Sequence, residues 1–185
     1  MQSSGRQPAS GTAKSDERRS VILDRLADYV LANGLSAASL RPLAEAAGTS
    51  DRMLLYYFKD KAVLMSATLG RVAERMTGLL NAAAAPQPLA PDALLARLHG
   101  VLLDDSLWPY MSLWLEIASL AARNDPFYRA LGEQIGRGFL AWGAAQLDSP
   151  SPAQRAIDAA RLLAMTEGMV LLKSLGLDDV CRTAL

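Results

Sequence analysis

Between Ser39 and Lys61 the chain gathers side chains suited to reading a polyanion: Ser39, Arg41, Ser50, Asp51, Arg52, Met53, Tyr56, Tyr57 and Lys61. A guanidinium such as that of Arg41 or Arg52 offers paired donors that match O6 and N7 of guanine. Hydroxyl and ammonium groups, here those of Ser50, Tyr56, Tyr57 and Lys61, suit phosphate oxygens. Asp51 would repel phosphate, so its carboxylate either caps a helix or accepts from a cytosine amino group. The competing interpretation is plain: arginines as solvated surface charge, tyrosines as packing. Other chemistry has little support. His99 and Cys181 are the only residues of their types, and neither a nucleophile–base constellation, a metal-ligand spacing nor a glycine-rich phosphate loop is found. No enzymatic activity, metal or cofactor is expected.

Those side chains need elements to position them. Ile22, Leu26, Tyr29 and Val30 form one stripe of an amphipathic helix, and Asn33-Gly34 stops it. Ser39 is placed to cap a short second helix with Leu43, Ala44 and Ala47 inward. Gly48 breaks that helix, and Ser50 caps a third that runs to about Phe58. The small residues Ala44 and Ala47 let the two short helices approach, and Leu43, Leu54 and Phe58 supply a core shared with the first helix. This is the pattern of a tri-helical helix-turn-helix. Asp60 then caps a helix from Lys61 to about Leu80, with Leu64, Val72, Met76 and Leu79 expected inward.

The rest of the chain is helix after helix. The stretch 81–91 carries prolines that end a helical register, so it is read as a linker. A helix beginning near Asp92 carries Leu94, Leu95, Leu98, Val101 and Leu102; another, beginning near Ser106, carries Tyr110, Leu113, Trp114, Ile117 and Leu120. Asp125-Pro126 and Ser151-Pro152 each set a capping side chain before a first-turn proline. They open two long helices, about 126–147 and 152–175, and Gly176 ends the last. No segment alternates as a strand would. The expected fold class is all-α, with eight or nine helices.

The segment Ser39–Leu64 resembles the DNA-binding domain of the tetracycline-repressor-like (TetR) family. Ser39, Arg41, Leu43, Ala44, Ala47, Gly48, Ser50, Leu54, Tyr56, Phe58, Lys61 and Leu64 fit the family pattern in register. Leu55 stands where the family usually has a tyrosine and Tyr57 where it has a histidine, so no operator sequence carries over. The resemblance implies a DNA-binding transcriptional regulator, a repressor released by a small-molecule effector, with Ser39, Arg41, Ser50, Asp51, Arg52, Met53, Tyr56, Tyr57 and Lys61 on double-stranded DNA. It also implies a homodimer through the last two long helices. The alternative is an all-helical ligand-binding protein or enzyme that keeps this fold without binding an operator.

On this reading residues 1–15 are a disordered arm, rich in Gly, Ser, Pro and Gln. Residues 16–62 are the DNA-binding domain and 63–185 the ligand-binding and dimerisation domain. Trp108, Met111, Trp114, Glu116, Met165, Glu167 and Met169 are the candidates for contact with the effector, since apolar cavities with a few polar groups suit small molecules. A carboxylate facing such a cavity would favour a cationic ligand. Gly132, Gly136 and Gly143 lie near one helix face, where they are expected to allow close packing across the subunit boundary.

Net charge is zero, but it divides along the chain. Residues 1–75 hold eleven Lys/Arg against eight Asp/Glu, and residues 76–185 the reverse. The basic half is the one carrying the polyanion-reading set. One cysteine permits no intrachain disulfide, and neither a signal-like stretch nor a membrane-length apolar run is found. A cytoplasmic protein is expected, with Arg6, Lys14, Arg18 and Arg19 available to add contacts from the arm.

Overall fold

The computed structural model describes residues 10–184, in nine helices with no strand among them. They are α1 (Ser10–Asn33), α2 (Leu40–Ala47), α3 (Asp51–Phe58), α4 (Lys61–Ala83), α5 (Pro91–Leu102), α6 (Trp108–Ala122), α7 (Pro126–Gln146), α8 (Pro152–Ser174) and α9 (Asp178–Thr183). The contacts divide the chain into two compact units at Val72/Ala73.

In the first unit, α1 begins at Ser10, inside the stretch expected to be a disordered arm. Extending an established helix adds a hydrogen bond for each residue fixed, so propagation costs far less than nucleation. The rest of that stretch, with Arg6, lies outside the described residues. Leu26, Val30, Leu43, Leu54, Phe58 and Leu64 are almost wholly buried. The unit reaches ten residues past the boundary expected at 62 because the start of α4 belongs to it: Leu64, Met65, Thr68 and Leu69 are buried. Arg71 also ties α4 to α1, donating from Nη1 to both carboxylate oxygens of Asp24 at 3.0 and 3.2 Å and from Nη2 to Ser20 Oγ at 3.0 Å. Buried Thr68 satisfies its hydroxyl on Leu64 O at 2.8 Å.

In the second unit, Met76, Leu80, Leu94, Leu98, Met111, Leu162 and Val170 belong to one core. Leu80 takes the inward place expected of Leu79, which is exposed. The buried row of α4 runs Leu64, Thr68, Val72, Met76, Leu80, a strict spacing of four that leaves Leu79 outside it. Side chains of Asp125 and Ser151 cap α7 and α8 as their proline-flanked positions suggest. The linker is not a free tether. Leu89 donates to Gln146 O and accepts from Asp148 N, both at 2.8 Å, which pins it to the turn between α7 and α8. The final helix α9 follows Gly176, whose φ of 75° breaks α8, and it buries Cys181 against the Met169 carbonyl.

The α7–α8 turn is held by a buried carboxylate. Asp158 accepts from Gln154 Nε2 and Ser149 Oγ, each at 2.8 Å, and these bonds hold its carboxyl below its ordinary value. A carboxyl that binds its proton less tightly when folded stabilises the fold above its unfolded pKa, near 3.9. That contribution is lost as pH falls through the folded value. Asp158→Asn should therefore lower the melting temperature at pH 7, with the gap from the parent closing below about pH 4. A gap of constant size across that range would assign the effect to shape and not to charge.

Candidate nucleic-acid interface and ligand cavity

The first unit presents α3 outward. Leu54 and Phe58 stand one turn apart and are buried, at 0% and 1% exposure, so the opposite arc of an eight-residue helix must face solvent. Asp51, Arg52, Met53 and Tyr56 occupy it, Tyr56 at 76% exposure. Tyr57 is half-buried, edge-on to Tyr56 with ring centres 5.4 Å apart. A large aromatic left this open costs apolar exposure that a partner surface would remove.

Both ends of α3 are fixed by backbone chemistry. Ser50 Oγ accepts from Met53 N at 3.3 Å, capping the first turn. Ahead of it, Gly48 closes α2 in the left-handed region at φ 65°, its N–H on Glu45 O. Arg25 from α1 donates Nη1 to Ala47 O at 2.9 Å. The same guanidinium nitrogen would stand 2.8 Å from a Cβ at Gly48, so any other residue there meets backbone strain and obliges Arg25 to shift from Ala47. At the far end Lys59 turns the chain with φ 63°, and Asp60 caps α4 by accepting from Val63 N at 2.8 Å. That places Lys61 at the first position of α4, exposed, where helix geometry favours an anion.

Of the other expected residues in this unit, Ser39 precedes α2 in extended conformation but makes no side-chain cap, and its hydroxyl is exposed. Arg41 is exposed and pairs with Glu45 at 3.2 Å. A pair that open to water is worth little and gives way readily to a phosphate. Leu55, which is absent from the expected set, is 38% exposed on the same short helix. Its spacing from Tyr56 signalled nothing beyond its departure from the family pattern.

The second unit holds a cavity of about 50 Å³ lined by residues of α4 to α8. Met111, Trp114 and Glu167, expected from sequence, are on its wall; Trp108, Glu116, Met165 and Met169 are not. Trp108 lies under the ammonium of Lys173, 5.0 Å from the ring centre, where Lys173 also holds the α5–α6 loop through Leu103 O and Asp105. Glu116 is half-buried near Tyr128, whose hydroxyl is pushed up by burial first and then by Asp125 and Glu116. Met165 is exposed on α8, and Met169 is buried in the core beside Cys181. Helical phase excludes both: Met165 and Met169, one turn apart on α8, lie off the same edge of the arc that holds Leu163, Thr166 and Glu167.

Sequence reasoning missed Phe139 and Trp142, which also line the cavity. Trp142 adjoins Gly143 and Phe139 stands one turn before it, and Gly143 packs within the chain. A Cβ at Gly143 would meet Leu162 of the same chain at 3.3 Å, and one at Gly132 would meet Ile117 at 3.8 Å. Gly143 lets α7 approach α8 within one chain, beside the aromatics that line the cavity, whereas a Cβ at Gly132 would make only ordinary contact. Gly136 has open space around it.

Among the described residues Glu167 is the only charged one on the cavity wall. Its Oε2 accepts from Trp114 Nε1 at 2.6 Å. Burial pushes the carboxyl up, and the indole bond opposes that only in part. Trp142 Nε1 donates to Asn81 Oδ1 at 2.8 Å, which ties the wall to the end of α4. Among the described residues no group of acidic, histidine and cysteine side chains could hold a metal ion, and no described helix is long and apolar enough to cross a membrane.

Comparison with known proteins places this geometry in a family. Residues 22–68 match the family described as bacterial regulatory proteins, tetR family. The chain is 31% identical over 160 residues to the HTH-type transcriptional regulator BetI of Burkholderia thailandensis, covering 83% of this chain and 80% of that one. It is 30% identical over 117 residues to the HTH-type transcriptional repressor AcnR of Corynebacterium glutamicum, covering 63% and 57%. Among solved structures, a transcriptional regulator of Rhodococcus sp. Rha1 superposes with a TM-score of 0.69 at 20% identity, covering 89% of this chain and 90% of that one.

Proposed function

Because the chain belongs to the tetR family of bacterial regulatory proteins, we propose that it is a homodimeric repressor that leaves its operator when a small molecule fills the cavity of the second unit. The observation that carries the DNA-reading half is α3. Arg52, Met53 and Tyr56 stand outward at one turn's spacing above buried Leu54 and Phe58. In this reading Arg52 and Met53 face base edges, Asp51 reads an amino group, and Ser39, Arg41, Ser50, Tyr56, Tyr57 and Lys61 grip phosphates that set the register.

Two copies would present two such helices to half-sites about one helical turn of DNA apart. The surface we assign to pairing is the outer face of α7 and α8. Ala153, Ile157, Ala160, Ala164 and Leu171 on α8 and Leu175 at its cap are exposed, at spacings of three, four and seven. Gln134, Gly138, Ala141 and Ala145 are exposed on α7 at spacings of four and three. Such seams pack as helix pairs do in a four-helix bundle.

Release follows from continuity of one helix. Leu80 lines the cavity and Asn81 holds Trp142, while Lys61 begins the same α4. A ligand that displaces Leu80 or Asn81 would shift α4 and thus the spacing of the reading helices. Linkage requires that this ligand bind the operator-bound form less tightly by the same factor, roughly 5–150-fold for an ordinary coupling.

Selection of bound duplexes from a random library tests the function. The parent protein should enrich a near-palindromic site. Arg52→Ala should lose preference at one or two positions of each half-site and cost about 1–3 kcal/mol per contact. No enrichment by the parent would overturn the assignment of operator binding, and an unchanged preference in the variant would take Arg52 off the bases.

A further inference from the structure

We infer that the cavity is built for an organic cation, an ammonium ion carrying an apolar body, with Glu167 as its counter-ion and the rings of Trp114 and Trp142 as its walls. This rests on the reading of the cavity as an effector site and names the class of molecule it takes.

The polar inventory of the wall is short. Thr166 spends its hydroxyl on the carbonyls of Leu162 and Leu163, at 3.0 and 2.9 Å. Each tryptophan N–H is already committed, one to Glu167 and one to Asn81. The carboxylate of Glu167 is what remains for a ligand to address. Trp114 is its one hydrogen-bond partner among the described residues, so a carboxylate with capacity for more bonds sits on an otherwise apolar surface.

An unpaired charge in such a place is costly, and the ordinary remedies are a counter-ion or a proton. Burial raises the carboxyl, the direction that the cost of a charge in this place dictates. A ligand cation supplies the counter-ion, while aromatic faces beside it add attraction that grows as water is excluded. An anionic ligand would meet repulsion with no basic residue on the wall to offset it. A neutral ligand would leave the charge uncompensated.

Phenyltrimethylammonium and tert-butylbenzene have nearly the same shape and differ in charge, so together they isolate the term. Binding to the full-length protein is followed by tryptophan quenching and calorimetry, and operator release by mobility shift. The parent should bind the cation at least about tenfold more tightly than the hydrocarbon and release operator with it, the scale of one desolvated cation–aromatic contact. Glu167→Gln keeps an acceptor for Trp114 and removes the charge. It should lose about tenfold or more in cation affinity, as removal of one charge of a desolvated pair does, with hydrocarbon affinity little changed. Glu167→Asp, which retains the charge, should retain the preference for the cation and guards against misfolding of the glutamine variant.

If tert-butylbenzene binds and releases operator as well as the cation does, or if Glu167→Gln binds the cation as the parent does, the cation assignment falls and the effector site stands. If neither compound binds at millimolar concentration, the cation assignment falls together with the reading of this cavity as an effector site.

Discussion

Leu171→Asp should convert the protein to a monomer and weaken operator binding by about 10²–10⁴-fold. Leu171 is 51% exposed and Leu175, a turn further on, is 64% exposed, in a seam that continues back to Ile157. An aspartate there costs the isolated chain little, because its carboxylate stays in water. In a dimer closed over the seam it would be buried twice, once from each subunit, as two like charges without partners. The consequence for DNA is larger than for the contact itself. A dimer delivers its second reading helix at the effective concentration set by the first, and separation forfeits that advantage, the source of the range above. Sedimentation equilibrium and mobility shift on a selected operator measure the two effects side by side. A variant that sediments as a dimer would move the interface away from the outer face of α8.

The second large effect is on the reading head. Phe58→Ala should abolish operator binding at 37 °C while leaving ligand binding to the second unit close to the parent's. Phe58 is 1% exposed and lies under the guanidinium of Arg19, 4.8 Å from the ring centre. Truncating a phenylalanine so placed removes about 3–5 kcal/mol. A small domain has about 5–15 kcal/mol in total, and one helix-turn-helix sits at the low end. Far-UV circular dichroism should show an early transition split from the main one, and hydrogen exchange should place the loss of protection in α1 to α3. A single cooperative melt with protection retained in α3 would mean that the head relaxes around the lost ring.

Much of this was legible in the residues. Helix starts at Ser50, Asp60, Asp125 and Ser151 carry a capping oxygen at the right offset, and stops at Gly48 and Gly176 need a left-handed residue, so local chemistry alone marks them. The buried face of α3 follows from the spacing of Leu54 and Phe58. What escaped was anything settled between elements. The cavity draws on α4 to α8, and Trp142 reaches it because Gly143 lets α7 close on α8, a contact 19 residues apart in sequence. The glycines of α7 were visible as a signal, yet which neighbour they admit depends on tertiary packing. The clasp of Leu89 on the α7–α8 turn left no trace either, since two backbone bonds demand no particular side chain. Glu167 was recognisable as a carboxylate among apolar neighbours; that it would be the wall's sole charge was not.

The division of labour within α3 bears on how such a protein acquires a new target. Its geometry is fixed from behind, by Leu54, Phe58, the bond from Arg25 to Ala47 and the turn at Gly48. The side chains facing outward at Arg52, Met53 and Tyr56 are exposed, and surface substitutions away from such supports usually change stability by no more than about 0.5 kcal/mol. On the proposed assignment, variation at Arg52 and Met53 would explore base preferences on a nearly level stability landscape. On that assignment, copies of one such chain could shift to different operators at little cost in folding, and the matching change would have to come in the DNA sites.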